Sequence, residues 1–199
     1  PSTGSADAMG LFDILRGQRT PKRADLDRIF AISTAQTTLE VNLNLRPTGR
    51  AGVCFKPVDG ASFEDMERDL AELLEISGRG SGTVVRRHDD DYGFAWIVLE
   101  DDDFDDLVTT AHLINGSLEE RGFSEQLLCS VFGFLRDGEV IDFVYAYKRG
   151  TFYPFVPTGE NRRDNALELR LKAALQGELP IEPELERWYP VWGAPTAAS

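Results

Sequence analysis

Residues 124–148 constrain this chain more than any other stretch. Two apolar runs, SEQLLCSVFGFLR and EVIDFVYAYK, flank the pair Asp137-Gly138. Asp-Gly between strand-like runs is a two-residue hairpin turn, because both central positions need a backbone that Asp and Gly tolerate. Antiparallel sheet is therefore required, and the other elements must be placed against it. A second hairpin is predicted upstream, with arms at 83–87 and 94–100 and HDDDYG as the connection. TFYPFVP, interrupted by Pro154 and Pro157, predicts a short edge strand.

Helical spacing appears between these runs. Leu26, Ile29, Phe30 and Ser33 share a face over 25–33. From 37 to 46, Leu39, Val41, Leu43 and Leu45 alternate with polar residues, which predicts a half-buried strand. The alternative is one helix continuing to about residue 44, because Ile32, Gln36, Leu39 and Leu43 also share a face. RPTGR then predicts a turn and AGVCFKPV a strand. Ser62 opens a helix with Phe63, Met66, Leu70, Leu73 and Leu74 on one face, ended by Gly78. Asp102 is the predicted cap of a further helix, with Asp105 and Asp106 in its positive first turn. Phe104, Leu107, Val108, Ala111, Ile114 and Leu118 form its apolar stripe, and Gly122 stops it. A last helix is expected over 161–176. The expected fold class is α+β, mainly antiparallel sheet with packed helices.

The segment boundaries follow from these elements. Residues 1–8 are expected to be a cloning remnant ahead of Met9. Residues 9–23 form an amphipathic, basic segment, and 24–177 an α+β domain, with 25–78 and 82–177 as two candidate halves. Residues 178–199 form a tail with four of the ten prolines and two tryptophans. It is expected to lie extended across the domain, anchored by Trp188 and Trp192.

Charge restricts the partners. The chain of 199 residues carries −13, from 34 acidic and 21 basic residues. Such a field repels phosphate backbones, so nucleic acid is not an expected partner. Cys54 and Cys129 lie in apolar runs outside any metal-binding spacing, which predicts two buried thiols in a reducing, cytoplasmic setting. A disulfide between them stays open. No apolar run approaches the roughly 18 residues of a membrane span.

Candidate chemistry is sparse. His88-Asp89-Asp90-Asp91 could hold a hard cation, but consecutive Asp in a turn suit a solvated hairpin tip better. Asp101-Asp102-Asp103 with Asp105-Asp106 is explained by a helix N-terminus. His112 beside an apolar stripe is expected to be structural, and Asn115 to cap or bridge to a strand. The Arg pairs in RRHDDD and NRRD could hold a small anion, but surface ion pairs are the expectation. No nucleophile, metal or phosphate-loop motif is present, so neither a catalytic residue nor a cofactor is expected. A metal-dependent enzyme built from the acidic clusters and His112 is the remaining alternative of that class.

Residues 10–23 stand apart. Leu11, Phe12, Ile14 and Leu15 precede Arg16, Arg19, Lys22 and Arg23, with Asp13 the only acid. A basic amphipathic segment on an acidic chain is the expected contact for a partner or, transiently, for an anionic membrane surface. Leu11, Phe12, Ile14, Leu15, Arg16 and Arg19 are the candidate contact residues.

Taken together, Met9-GLFD, RPTGRAGVCFKPV, LVTTAHLINGSLEERGF, QLLCSVFGF and YAYKRGTFYPFVP resemble the PspA-associated protein family PspAB over essentially all of 9–193. The resemblance implies association with PspA, the coiled-coil, membrane-remodelling protein of the phage-shock envelope-stress response. It implies a non-enzymatic adaptor or regulator and carries over no catalytic residue. The layout of 82–176, with Asn115 mid-helix, is also similar to the YbjN and type III secretion-chaperone-like fold. That likeness implies a binding module and often a homodimer. The extra 25–78 region and the Trp-containing tail depart from it.

Overall fold

A computed structural model describes residues 26–57, 65, 68 and 82–197. The expected contact residues within 10–23 lie outside them. So does most of the helix expected from Ser62; of it, only positions 65 and 68 are described, both helical.

A 3-10 turn at Leu26–Phe30 leads into α1, Ala31–Leu43. The strand expected over 37–46 is therefore mostly helix. A strand would have placed Val41 on the buried face with Leu39, yet Val41 is 76% exposed while Ile32, Ala35 and Leu39 are buried. Extending an existing helix adds one hydrogen bond per residue fixed, whereas the alternating pattern would have needed a break after residue 36. Asn44 ends α1 in the left-handed conformation (φ 55°), and Leu45 N–H donates to Leu39 O at 2.8 Å.

The expected RPTGR turn is instead the first half of β1, Arg46–Phe55. Pro47 and Ala51 pair with Phe134 and Phe132 of β4, so β1 advances four residues while its partner advances two. The turn-forming residues make a bulge rather than a reversal. Gly49 sits there at φ 75°, where a Cβ would lie 3.1 Å from Asp101 O.

The remaining strands are β2 (Val84–Asp89), β3 (Ala95–Glu100), β4 (Leu127–Arg136), β5 (Glu139–Ala146) and β6 (Thr151–Phe155). They form one six-stranded antiparallel sheet in the order β2-β3-β1-β4-β5-β6. Both expected hairpins are present, with Asp137 and Gly138 at positive φ, and β6 is an edge strand, as is β2. β1, from the earlier candidate half, lies between β3 and β4 of the later one, so the two candidate halves share one sheet. β3 and β4 both run antiparallel to β1 and hence parallel to each other. Their connection must cross the sheet, which α2 (Phe104–Glu120) does. Its cap is Asp103, one residue later than expected. The Asp103 carboxylate accepts from the N–H groups of Asp105 (2.9 Å) and Asp106 (3.3 Å). A small ribbon, β7 (Pro157–Gly159) with β8 (Arg162–Arg163), precedes α3 (Asn165–Leu175), which Asp164 caps.

Both faces of the sheet are covered, which is why AWIVLE and LLCSVFGF are nearly continuous apolar runs rather than alternating ones. One face packs Val53, Phe55, Ile97, Leu99, Phe132 and Phe143 against α1, α2 and α3. The other packs Cys54, Trp96, Val131, Val144, Tyr153 and Phe155 against residues 181–194. Trp188 stacks on Tyr153 at 5.9 Å between ring centroids and donates Nε1–H to Glu182 O at 3.1 Å. Trp192 meets Phe155 edge-on at 4.9 Å. Farther along, Thr196 Oγ1 donates to the buried Asp142 carboxylate at 2.5 Å.

Candidate functional site

Where the tail crosses the second face it leaves a cleft of about 440 Å³. Four strands supply the floor. Cys54 on β1 is the register partner of Cys129 on β4; Trp96 lies beside them on β3, and Tyr153 comes from β6. All four are buried. The β2–β3 turn forms one wall through Tyr92 and Phe94, and Tyr189–Trp192 of the tail form another. Leu128 of β4, Lys148 and Arg149 from the β5–β6 connection, and Arg187 also line it.

The turn wall is built by Asp90. Its Oδ1 accepts the N–H groups of Tyr92 and Phe94, and its Oδ2 accepts Trp96 Nε1–H, each at 2.9 Å. Burial pushes the Asp90 carboxyl up, but these three donors, with His88 nearby, outweigh it and hold the group below the usual carboxylate range. One side chain thus fixes both the turn and the indole on the cleft floor. The facing thiols are free. The hydrogen bond with Cys129, then burial, then nearby charge push the Cys54 thiol well above its ordinary value. Burial likewise raises the Tyr153 hydroxyl, which donates to Tyr189 O at 2.9 Å. The Cys54 thiol is therefore a poor nucleophile, because the thiolate is the reactive form.

The acidic clusters do not converge. They sit at opposite ends of β3, a six-residue strand of about 20 Å. Asp89 pairs with Arg87 at 3.0 Å, and Asp90 is committed to the turn. Asp101 accepts from Thr83 Oγ1 at 2.6 Å and from Asp103 N–H at 2.9 Å. Among the described residues no three His, Cys, Asp or Glu side chains gather as a metal site would require. His112 packs on the Phe30 ring at 4.9 Å, with Nε2 3.9 Å from Asp27 Oδ1. Asn115 does bridge to a strand: its Nδ2 donates to Ser130 Oγ on β4 at 3.0 Å, both residues buried. Arg86 forms the expected surface pair with Glu100 at 3.3 Å. Arg163 departs from expectation. It enters a buried pair with Glu168 at 2.8 Å and lies over the Phe155 ring at 4.9 Å. It is drawn in because Glu168 also accepts the Val156 N–H.

The candidate contact residues Leu11, Phe12, Ile14, Leu15, Arg16 and Arg19 are outside the described region. No described helix is long and apolar enough to cross a membrane.

The family model for PspAB, PspA associated protein B, matches residues 9–196. The chain belongs to the PspAB family. That match takes in every element of the sheet, all three described helices and the tail that walls the cleft, so the cleft is assembled wholly from PspAB sequence. No curated protein and no solved structure matches the chain. The YbjN-type likeness therefore rests on the order of elements alone.

The cleft escaped sequence reasoning. Its parts come from five separate segments, and the signal available was modest: two Cys in strand-like runs and an aromatic tail.

Proposed function

We propose that this chain is a non-catalytic adaptor or regulator of a PspA-type envelope-stress response, working in the cytoplasm by binding a PspA-like coiled-coil protein. The match to PspAB across 9–196 carries this reading, because the family is named for its association with PspA. The side chains support it. The acidic candidates have structural work: Asp90 closes a turn, Asp101 holds Thr83, and Asp103 caps a helix. In a reducing compartment the facing thiols of Cys54 and Cys129 stay reduced. The test is affinity capture of the full chain from envelope-stressed cells, followed by gel filtration with the purified coiled-coil protein. Co-elution is expected; capture that recovers no PspA-like protein overturns the reading.

The basic amphipathic segment within 10–23 favours a second contact, with an anionic membrane surface. Flotation with anionic vesicles should carry the full chain upward and lose it on Leu11→Asp with Arg16→Gln. Equal recovery of both in the unbound fraction removes this contact.

A further inference from the structure

The cleft on the second sheet face combines three properties. Its floor carries no charge, since both Cys54 and Tyr153 are held in their protonated forms. Its mouth exposes large side chains that a sealed core would hide: Tyr92 at 59%, Tyr189 at 60% and Leu128 at 37%. Its charged lining runs against the composition. In a chain with 34 acidic and 21 basic residues, the charged side chains of the cleft are Lys148, Arg149 and Arg187 against Asp90 alone. Asp90 already accepts three N–H donors and has little left to offer a cation. The carboxylates that pair with the basic side chains, Glu125, Glu182 and Glu184, do not line the cleft.

We propose that this cleft binds a single-chain anionic amphiphile: an unbranched alkyl chain laid over Trp96 and the Cys54–Cys129 pair, with a carboxylate or phosphate head at Lys148, Arg149 and Arg187. The volume of about 440 Å³ is that of a small-molecule site, for which roughly 300–1,000 Å³ is usual. The walls also argue for a small ligand. The β2–β3 turn and the tail both wall a floor built from strand side chains, which suits a narrow alkyl chain better than a helix lying flat. The basic side chains select the sign of the head group, because charge-assisted hydrogen bonds to carboxylate or phosphate are the stronger kind. This site is independent of the PspA reading and stands or falls without it.

Titration of the full chain with octanoate, decanoate, dodecanoate, dodecyl phosphate and neutral dodecanol tests the proposal, followed by calorimetry and tryptophan emission. Trp96 and Trp192 line the cleft, so occupancy changes the emission. Saturable one-to-one binding is expected, tightening by roughly fourfold for each added methylene that is buried. Dodecanol should bind roughly tenfold more weakly than dodecanoate, for want of a charged head. Comparing the carboxylate and phosphate arms shows whether a free fatty acid or a phospholipid-type head fits better. Leu128→Asp should abolish binding of every ligand, and Lys148→Gln should weaken the anions but not dodecanol. Lys148 is half exposed and pairs with an exposed Glu125, so that variant tests the head site even if Leu128→Asp fails to fold. The proposal is overturned by no heat and no emission change with any ligand, by binding only above micelle-forming concentration, or by equal affinity for dodecanol and dodecanoate.

Discussion

Asp142 should make this protein less stable as pH rises from mildly acidic to neutral, the reverse of most aspartates. It lies on β5 opposite Gly133 of β4, on the face covered by the tail, and is 3% exposed. Burial pushes its carboxyl from 3.8 up to about 7, opposed only by the hydrogen bond from Thr196. Gly133 brings no side chain that could pair with it, and its Cα face is filled by Thr196 and Thr48. Because the folded value lies above the unfolded one, the unfolded chain ionises first. The contribution of this group is greatest below about pH 4, falls as pH rises towards 7, and levels off above. Moving the carboxyl from 3.8 to about 7 sets the loss at about 4 kcal/mol. Asp142→Asn keeps the shape and the acceptor for Thr196 Oγ1 but cannot ionise. Urea unfolding of both proteins at pH 5, 6, 7 and 8, followed by tryptophan emission, isolates this group, because other carboxylates contribute equally to both curves. The stability difference should grow in favour of the Asn variant with pH and reach a few kcal/mol at pH 8. A difference that is constant with pH, or an Asn variant that is weaker at pH 8, refutes the reasoning.

Three further outcomes follow from packing. Gly133→Ala would place a Cβ 2.6 Å from Thr48 Oγ1 and 2.7 Å from Thr196 O, so it should cost about 1–3 kcal/mol and expose residues near 196 to limited proteolysis. Arg163→Met strands the Glu168 carboxylate, 3% exposed, and should cost about 3–5 kcal/mol in denaturant titration. Adding Glu168→Gln to it should recover part of that loss. Asn115→Leu leaves Ser130 Oγ buried without its partner and should cost about 1–3 kcal/mol by thermal unfolding. The Asn115→Leu, Ser130→Ala pair should be milder than the single change.

The elements most legible beforehand were those whose signals are local. Asp137-Gly138 between two strand runs specifies a hairpin whatever surrounds it, and Asp103 with Asp105 and Asp106 marks a helix start to within one residue. The segment 37–46 was not legible, because Leu39 and Leu43 satisfy both periods and only the exposure of Val41 decides between them. RPTGR has turn chemistry and uses it in a bulge; that outcome depends on the β4 backbone, which is distant in sequence. The cleft was hidden for the same reason. Cys54 and Cys129 were expected to be buried thiols, but nothing local says that they face one another. That follows from β1 lying between β3 and β4, a topology set by the α2 crossover rather than by either cysteine's neighbours.

The position of β1 also has a kinetic consequence. This strand emerges early in synthesis, yet both of its sheet partners, β3 and β4, come later, and β4 only after α2. Until then its Val53, Cys54 and Phe55 have no strand to pair with, while the β2–β3 and β4–β5 hairpins each close on themselves at low entropic cost. Insertion of this early strand between the two hairpins is the step expected to be slow in folding. Its unpaired edges are the place where a nascent chain is most open to association with other chains or capture by a chaperone.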